Sequence, residues 1–446
     1  MMQPFRKKAL YIAFAIMILI FGHNSLFAQF IPISFMLDSL ENGLQIIYCV
    51  DKTAPVVATV LHYKVGSRDE KQDKNGYAHF FEHLMFEATD NIPRASIPKY
   101  AQEAGGELNA HTSFDETVFQ FQLPSNQIKL ALWIESQRMR KLHIDSIGVA
   151  TQKGVVSEEK KQGVDNAPYG TAWEKIFQNA FPGSSYSWFI TGSLEHIAKA
   201  EISDFKEFYD NYYQPNNAVL CICGDFDPGD VRNWIRDYFG IYPRGKEPLR
   251  NPFILQPMTK EYREKIEDEK AQLPAVFIGY RGVKIGDPDY YPLTLLTQIL
   301  AKGESSRMYQ RLVDDDQIAE MVNVEPYDLQ YSGLMFLISI VAPGKAPELV
   351  EKTMYAEIDS LVKNGISDEE LQKAKNLTEA DFIADKKGVL DKALTLAFLF
   401  AYYGNANLIN TEIEMYNKVT KEEIIAVAKK YLATDKRVVL TYIPKQ

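Results

Sequence analysis

Cysteine is scarce: the 446 residues hold three, Cys49, Cys221 and Cys223. A chain built on a disulfide framework carries many more, so that class is excluded. Cys221 and Cys223 alternate along an apparent strand, which points both to one sheet face as small buried hydrophobes. A Cys-x-Cys metal site needs a second Cys pair or a His-x-x-x-His partner, and none stands nearby. Positive charge is also in short supply, with 49 Lys and Arg against 59 Asp and Glu, a net charge of −10. Nucleic acid and anionic membranes require clustered Lys and Arg, so no nucleic acid partner is expected. Nor is there a long hydrophobic run. The most apolar stretch, Ala9 to Phe21, has 13 residues, whereas a membrane-crossing helix needs roughly 20.

That stretch follows Arg6, Lys7 and Lys8 and leads through His23-Asn24-Ser25 to Leu26-Phe27-Ala28-Gln29. The order of basic, apolar and polar segments is that of a cleavable export signal, residues 1–28, with cutting expected after Ala28. Leu26 is larger than the small residue usual three positions before the cut, and a retained membrane anchor is the alternative. An exported, periplasmic protein is expected. Removing residues 1–28 takes away three of the 49 basic residues and none of the 59 acidic ones, leaving a mature chain of charge −13.

The remaining composition, 46% hydrophobic and 24% charged, is that of a packed globular protein. Its length exceeds what one core usually supports, and two domains of roughly 200 residues are expected. Asn42 to Val50 reads as a turn into a strand, and Val56 to Val65 as a second. Helices are expected from about Gly76 and over Ile97 to Ala104, a strand over Glu116 to Leu123, and a long amphipathic helix over Asn126 to Leu142. The mixture is α+β. Two regions echo each other. Ser203 to Cys223 runs as an aromatic-rich helix, a Gln214-Pro215-Asn216-Asn217 turn and an apolar strand. Thr420 to Ile443 repeats the plan, with a capping box of Thr420 and Glu423, a turn at Thr434-Asp435-Lys436 and the strand Val438 to Ile443. The echo suggests a duplicated unit with the Pro- and charge-rich stretch Tyr242 to Pro257 between the copies. The expected division is 29–235, a linker at 236–260, and 261–446.

Within the first expected helix stands His79-Phe80-Phe81-Glu82-His83. Residues three and four apart share a helical face, so both imidazoles and the carboxylate can address one point. Two neutral imidazoles suit Zn²⁺, and a third protein ligand leaves the fourth position for water. A carboxylate beside that water can take its proton, which is the chemistry of metal-assisted peptide hydrolysis. His62, His143 and His196 have no comparable company and read as structural.

The order His-x-x-Glu-His is the inverted zinc motif, and its surroundings resemble the insulinase, pitrilysin and mitochondrial processing peptidase family, in its short two-domain form. Gly76-Tyr77-Ala78 and Leu84-Met85-Phe86 flank the motif as in that family, and Gly105 to Ser113, Gln152 to Glu159, Asp165 to Gly170 and Tyr213 to Leu220 fit as well. The resemblance implies two homologous sandwich-like domains, each a mainly antiparallel sheet with helices packed on one face. It implies a zinc cofactor held by His79, His83 and a distal glutamate. The register of Val155-Val156 places that ligand at Glu159, with Glu158 as competitor. It makes Glu82 the general base and Gln152, where many members carry glutamate, a residue that orients the site by hydrogen bonding.

The resemblance further implies that a peptide substrate adds as a strand along Asn109, Ala110 and His111. Members that work as one long chain carry an Arg and a Tyr in their second half. Here Val313 and Glu320 stand at those positions, with Arg307, Tyr309 and Arg311 out of register. The expected assembly is therefore a heterodimer with a homologous subunit lacking the zinc motif, a homodimer being the alternative. The expected activity is that of a zinc endopeptidase acting on peptides or unfolded segments. A silent peptide-binding subunit is the competing reading.

Overall fold

The computed structural model describes residues 31–432 and 436–445, and the described residues from Phe35 onward form one compact unit. The expected signal segment 1–28, and Thr434 and Asp435 of the expected turn, lie outside the described residues.

The first half builds a six-stranded sheet from β1 (Met36–Ser39), β2 (Gln45–Val50), β3 (Val56–Tyr63), β4 (Glu107–Thr112), β5 (Thr117–Pro124) and β6 (Ala218–Gly224), in the order β1-β2-β6-β3-β5-β4. Only β2 and β6 run parallel. The second half builds a five-stranded sheet from β7 (Tyr262–Asp268), β8 (Ala275–Arg281), β9 (Ala319–Tyr327), β10 (Leu334–Val341) and β11 (Arg437–Pro444), in the order β7-β11-β8-β10-β9. Its one parallel pair, β7 with β11, matches β2 with β6. The protein is therefore α+β with two mainly antiparallel sheets. The echoing regions end in the equivalent strands β6 and β11.

Seven helices of the first half position the site or cover a sheet: α1 (Tyr77–Leu84), α2 (Ile97–Glu103), α3 (Ile128–Arg140), α4 (Ser146–Lys160), α5 (Ala172–Ala180), α6 (Ile202–Tyr212) and α7 (Pro228–Phe239). Those of the second half are α8 (Tyr290–Ala301), α9 (Pro347–Asn364), α10 (Asp368–Ala384), α11 (Val389–Tyr403) and α12 (Lys421–Tyr431). Residues 240–261 between α7 and β7 carry no helix or strand. Among the described residues no helix is long and apolar enough to cross a membrane.

One face of each sheet takes helices from its own half. On the first, Phe80 and Phe81 of α1, Leu132 of α3 and Phe205 of α6 bury against Ile46, Tyr48, Phe119 and Phe121. The opposite face takes a helix from the other half. Helix α5 lays Ile176 and Phe177 on Phe277, Phe336 and Leu440 of the second sheet, and α11 packs on β2, β3 and β6 of the first. With both faces covered, an inner strand such as β6 (Ala-Val-Leu-Cys-Ile-Cys-Gly) is buried at every position, which explains its unbroken apolar run.

The β4–β5 turn joins the two halves. Asp115 at its tip is 4% exposed, pairs with Arg68 (Nε–Oδ1 2.8 Å), and accepts from the Tyr186 hydroxyl (2.8 Å) and from the Gln330 N–H of the second half (2.9 Å). Burial raises its pKa to about 6.

Candidate metal centre

Helix α1 is short, and its start is fixed from outside. Gly76 adopts φ +88°, and a Cβ there would stand 2.9 Å from the Thr191 carbonyl oxygen. The buried Glu70 carboxylate then accepts from the N–H groups of Gly76 (3.0 Å) and Ala78 (2.6 Å), supplying the acceptors that a helix N-terminus lacks. Phe80 and Phe81, both 0% exposed, anchor the inner face. The motif's polar residues are thereby held at the surface of α1 facing α4.

His79 and His83 lie edge to face, ring centroids 4.8 Å apart at 82°. Glu159, in the last turn of α4, reaches both: Oε1 is 3.7 Å from His79 Nε2 and Oε2 is 3.2 Å from His83 Nε2. Donor atoms from the three residues all lie within 4.8 Å of one another, as one ion requires. Glu158 instead accepts from Gln162 on its own side of the chain (3.2 Å) and is not in the group. Burial and the neighbouring His83 push the His79 pKa down to about 4, and burial lowers that of His83, so both rings offer lone pairs at neutral pH. Two neutral imidazoles and a carboxylate fit Zn²⁺.

Glu82 is 8% exposed, and its Oε2 accepts from Thr112 Oγ1 on β4 at 2.6 Å. Burial raises its pKa to about 7, while the Thr112 hydrogen bond pulls in the opposite direction. Gln152 of α4 faces the His83 ring and donates through Nε2 to Glu87 Oε1 (2.8 Å). Glu87 also pairs with Arg94, and Arg94 with Asp145 (2.7 Å), which caps α4 by accepting from Gly148 N–H (2.8 Å). One chain of polar contacts thus sets both the orientation of Gln152 and the start of the helix that carries Glu159.

Among the described residues strand β4 is the free edge of its sheet, paired only with β5. Asn109 Oδ1 accepts from the adjacent Ala110 N–H (2.9 Å). His111 points to the sheet face opposite the motif, where Glu116 lies between its Nε2 (3.5 Å) and that of the buried His62 (3.4 Å). A cleft of about 580 Å³ runs along this edge past Phe86, Leu108 and Asn109. His143 pairs with Asp90 (2.6 Å) and His196 bonds to Asn75 (2.8 Å), so neither joins the centre. In the second half, Val313 packs partly buried against that half's core and Glu320 is exposed on β9. Arg307 is engaged by Glu370 (2.5 Å) and Arg311 by Asp316 (2.9 Å).

The roles of Thr112, Glu70, Glu87 and Arg94 are not signalled in the sequence, although Thr112 lies in the Gly105 to Ser113 stretch. Each acts across elements, through a polar pair that no local spacing encodes.

Two similar α+β layers, one bearing His-x-x-Glu-His with a glutamate on a second helix, place the chain among proteins with an inverted zinc-peptidase site. The profile of the insulinases, peptidase family M16, matches residues 45–187, and that of the peptidase M16 inactive domain matches residues 199–378. The chain belongs to the M16 (insulinase) family, in its two-domain form. The zinc protease PqqE of Helicobacter pylori is 29% identical over 369 residues, 82% of each chain. The crystal structure of a protease from Helicobacter pylori superposes with a TM-score of 0.87 at 26% identity, over 93% of this chain and 100% of that one. The first half of the periplasmic protease PqqL from Escherichia coli, 18% identical, shares the fold with a TM-score of 0.76 over 93% of each chain.

Proposed function

We propose that the protein is a zinc endopeptidase whose substrates are peptides or unfolded segments bound along β4. The observation that carries this is the meeting of His79, His83 and Glu159 with Glu82 beside them, in a chain whose relative PqqE is named a zinc protease. His79, His83 and Glu159 would hold the metal, which when bound supplies Lewis-acid polarisation and an acidified water. Glu82 is the base. Its carboxylate is largely desolvated and hydrogen-bonded by Thr112, so it is fixed in place and its affinity for a proton is suited to neutral pH. Gln152, steadied by Glu87, orients His83.

A substrate strand would pair with the free edge of β4 at Asn109, Ala110 and His111. Asn109 must release the Ala110 N–H for this to happen, so its side chain serves as a placeholder that keeps the empty edge from pairing with other chains. Donors for the developing oxyanion are expected from a homologous, zinc-free partner subunit in a closed chamber, because Val313 and Glu320 cannot donate as Arg and Tyr would. A homodimer is the alternative source. The exported, periplasmic location proposed here rests on residues 1–28 of the sequence and on the likeness to a periplasmic protease.

The test is to purify the chain, measure zinc by elemental analysis, and follow hydrolysis of a quenched peptide alone and with a candidate partner. Bound zinc with cleavage that Glu82→Gln abolishes supports the proposal. A chain that retains no zinc and cleaves nothing in either state would overturn it in favour of a peptide-binding subunit.

A further inference from the structure

The three cysteines take no part in the metal centre, yet the fold brings them together. Cys49 on β2 and Cys223 on β6 are direct register partners in the parallel pair, and Cys221 sits two residues earlier on β6. All three are reduced, with exposures of 2%, 0% and 0% for Cys49, Cys221 and Cys223. Ile46 and Tyr48 of β2, and Leu220 and Ile222 of β6, face the core of their own half. The three thiols therefore point to the other face, beneath α11.

We propose that Cys49 and Cys223 are a redox-active pair that closes to a cross-strand disulfide under α11. Adjacent strands stand about 4.7–4.9 Å apart, inside the roughly 4.4–6.8 Å between Cα atoms at which a disulfide closes, and the Cβ atoms need to draw in by less than ~1.5 Å. Cys221 is opposed by Ile47 on β2 and Val60 on β3 and has no registered thiol. It is excluded from the bond.

The pair lies near the end of its strands, with both sulfurs buried, so a reagent reaches it only when the cover opens. Cys49 precedes Val50, the last residue of β2, and Cys223 precedes Gly224, the last residue of β6. The cover over this corner is the first turn of α11, latched by Lys392 to Asp51 (2.5 Å). Helix ends fray, and opening that turn exposes the sheet corner without disturbing the rest of the core. The contact with Cys223, and beyond the burial that opposes it the Lys392 ammonium, hold the Cys49 thiol below its usual range. Cys49, two residues before the latched Asp51, is uncovered as that turn opens and is the attacking sulfur of the proposed reaction.

The reaction is exchange with a disulfide-class oxidant. The Cys49 thiolate attacks one oxidant sulfur, forming a mixed disulfide and releasing one thiolate. The Cys223 sulfur then attacks Cys49 Sγ, forming the protein disulfide and expelling the second thiolate. Two electrons pass from the cysteine pair to the oxidant, and the two thiol protons leave on the released thiols.

The experiment exposes the folded full-length chain to oxidised glutathione, quenches with acid, and counts thiols after unfolding, with peptide mapping under non-reducing conditions. The expected result is a fall from three titratable thiols to one and a linked peptide pair containing Cys49 and Cys223. Reduction by dithiothreitol should restore three. Cys221→Ala should still form the bond, and Cys223→Ala should form none within the chain. Three thiols persisting after oxidation of the folded protein, or a link through Cys221, would overturn the assignment.

Discussion

Replacing Thr112 with Val removes one hydroxyl at nearly constant volume and tests how the candidate base is controlled. In the native protein Thr112 Oγ1 donates to Glu82 Oε2 at 2.6 Å, and it is the main influence favouring the ionised carboxylate against burial that raises its pKa to about 7. A hydrogen bond to a charged group is worth about 1.5–3 kcal/mol, and one pKa unit is about 1.4 kcal/mol. Glu82 is 8% exposed, so water replaces the lost donor poorly. The pKa should rise by about one to two units. A general base acts only when ionised, so the rate falls as pH drops through that pKa. Thr112→Val should therefore move the acid limb of kcat/KM upward by about one to two units, with loss of roughly tenfold per unit on the limb and near-native rates on the alkaline plateau. A bound cation lowers the limb for both proteins alike, so the difference is the readout. The assay is hydrolysis of a quenched peptide from acid to alkaline pH, with zinc content measured in parallel. An acid limb that stays in place at unchanged zinc content would refute the control of Glu82 by Thr112.

Three further outcomes are expected. Glu159→Gln should lower zinc occupancy after dialysis against a weak chelator, whereas Glu158→Gln should leave it unchanged, since Glu158 bonds to Gln162 instead; elemental analysis decides. Arg138 and Glu135 form a pair that is 0% exposed beneath the Phe119 ring. Arg138→Met should cost about 3–5 kcal/mol in urea unfolding by stranding Glu135, and adding Glu135→Leu should recover most of it. Asp115→Asn should destabilise the junction of the halves, because Arg68 loses its 2.8 Å ion pair and keeps Asp69 at 3.9 Å. The loss should be smallest at neutral pH and grow as pH falls below about 6, because a carboxyl whose pKa is raised on folding adds stability to the native protein only as it takes up its proton, a gain Asn lacks; thermal melts at several pH values show it.

Much of this was legible in the sequence for physical reasons. Residues 79–83 announce both a helix and a site, because a spacing of three and four puts two imidazoles and a carboxylate together while Phe80 and Phe81 must turn inward. Cys221 and Cys223 announce a strand with one shared buried face. Glu159 is different. It lies on another helix, nothing local distinguishes it from Glu158, and only the likeness to a family singled it out. Thr112 and Glu70 were invisible, since their roles depend on which strand end or turn stops beside α1. The cover of each sheet's second face was hidden for a related reason. An amphipathic helix records that it has an apolar side, and nothing in α5 or α11 states which sheet that side will meet.

The crossing of α5 and α11 has a consequence for what counts as a folding unit here. Cut within residues 240–261, the chain would yield two pieces, each missing the lid of its own sheet and carrying the lid of the other's. Neither would be a self-sufficient protein, yet each is the other's complement, like subunits of an obligate dimer that have been tied together. The tie contributes effective concentration, in addition to contacts such as Arg250 with Asp69 (2.7 Å) and Phe253 with Tyr186 and Tyr331. Two co-expressed fragments should accordingly reassemble with the native interior, at the expense of a stability that now depends on protein concentration.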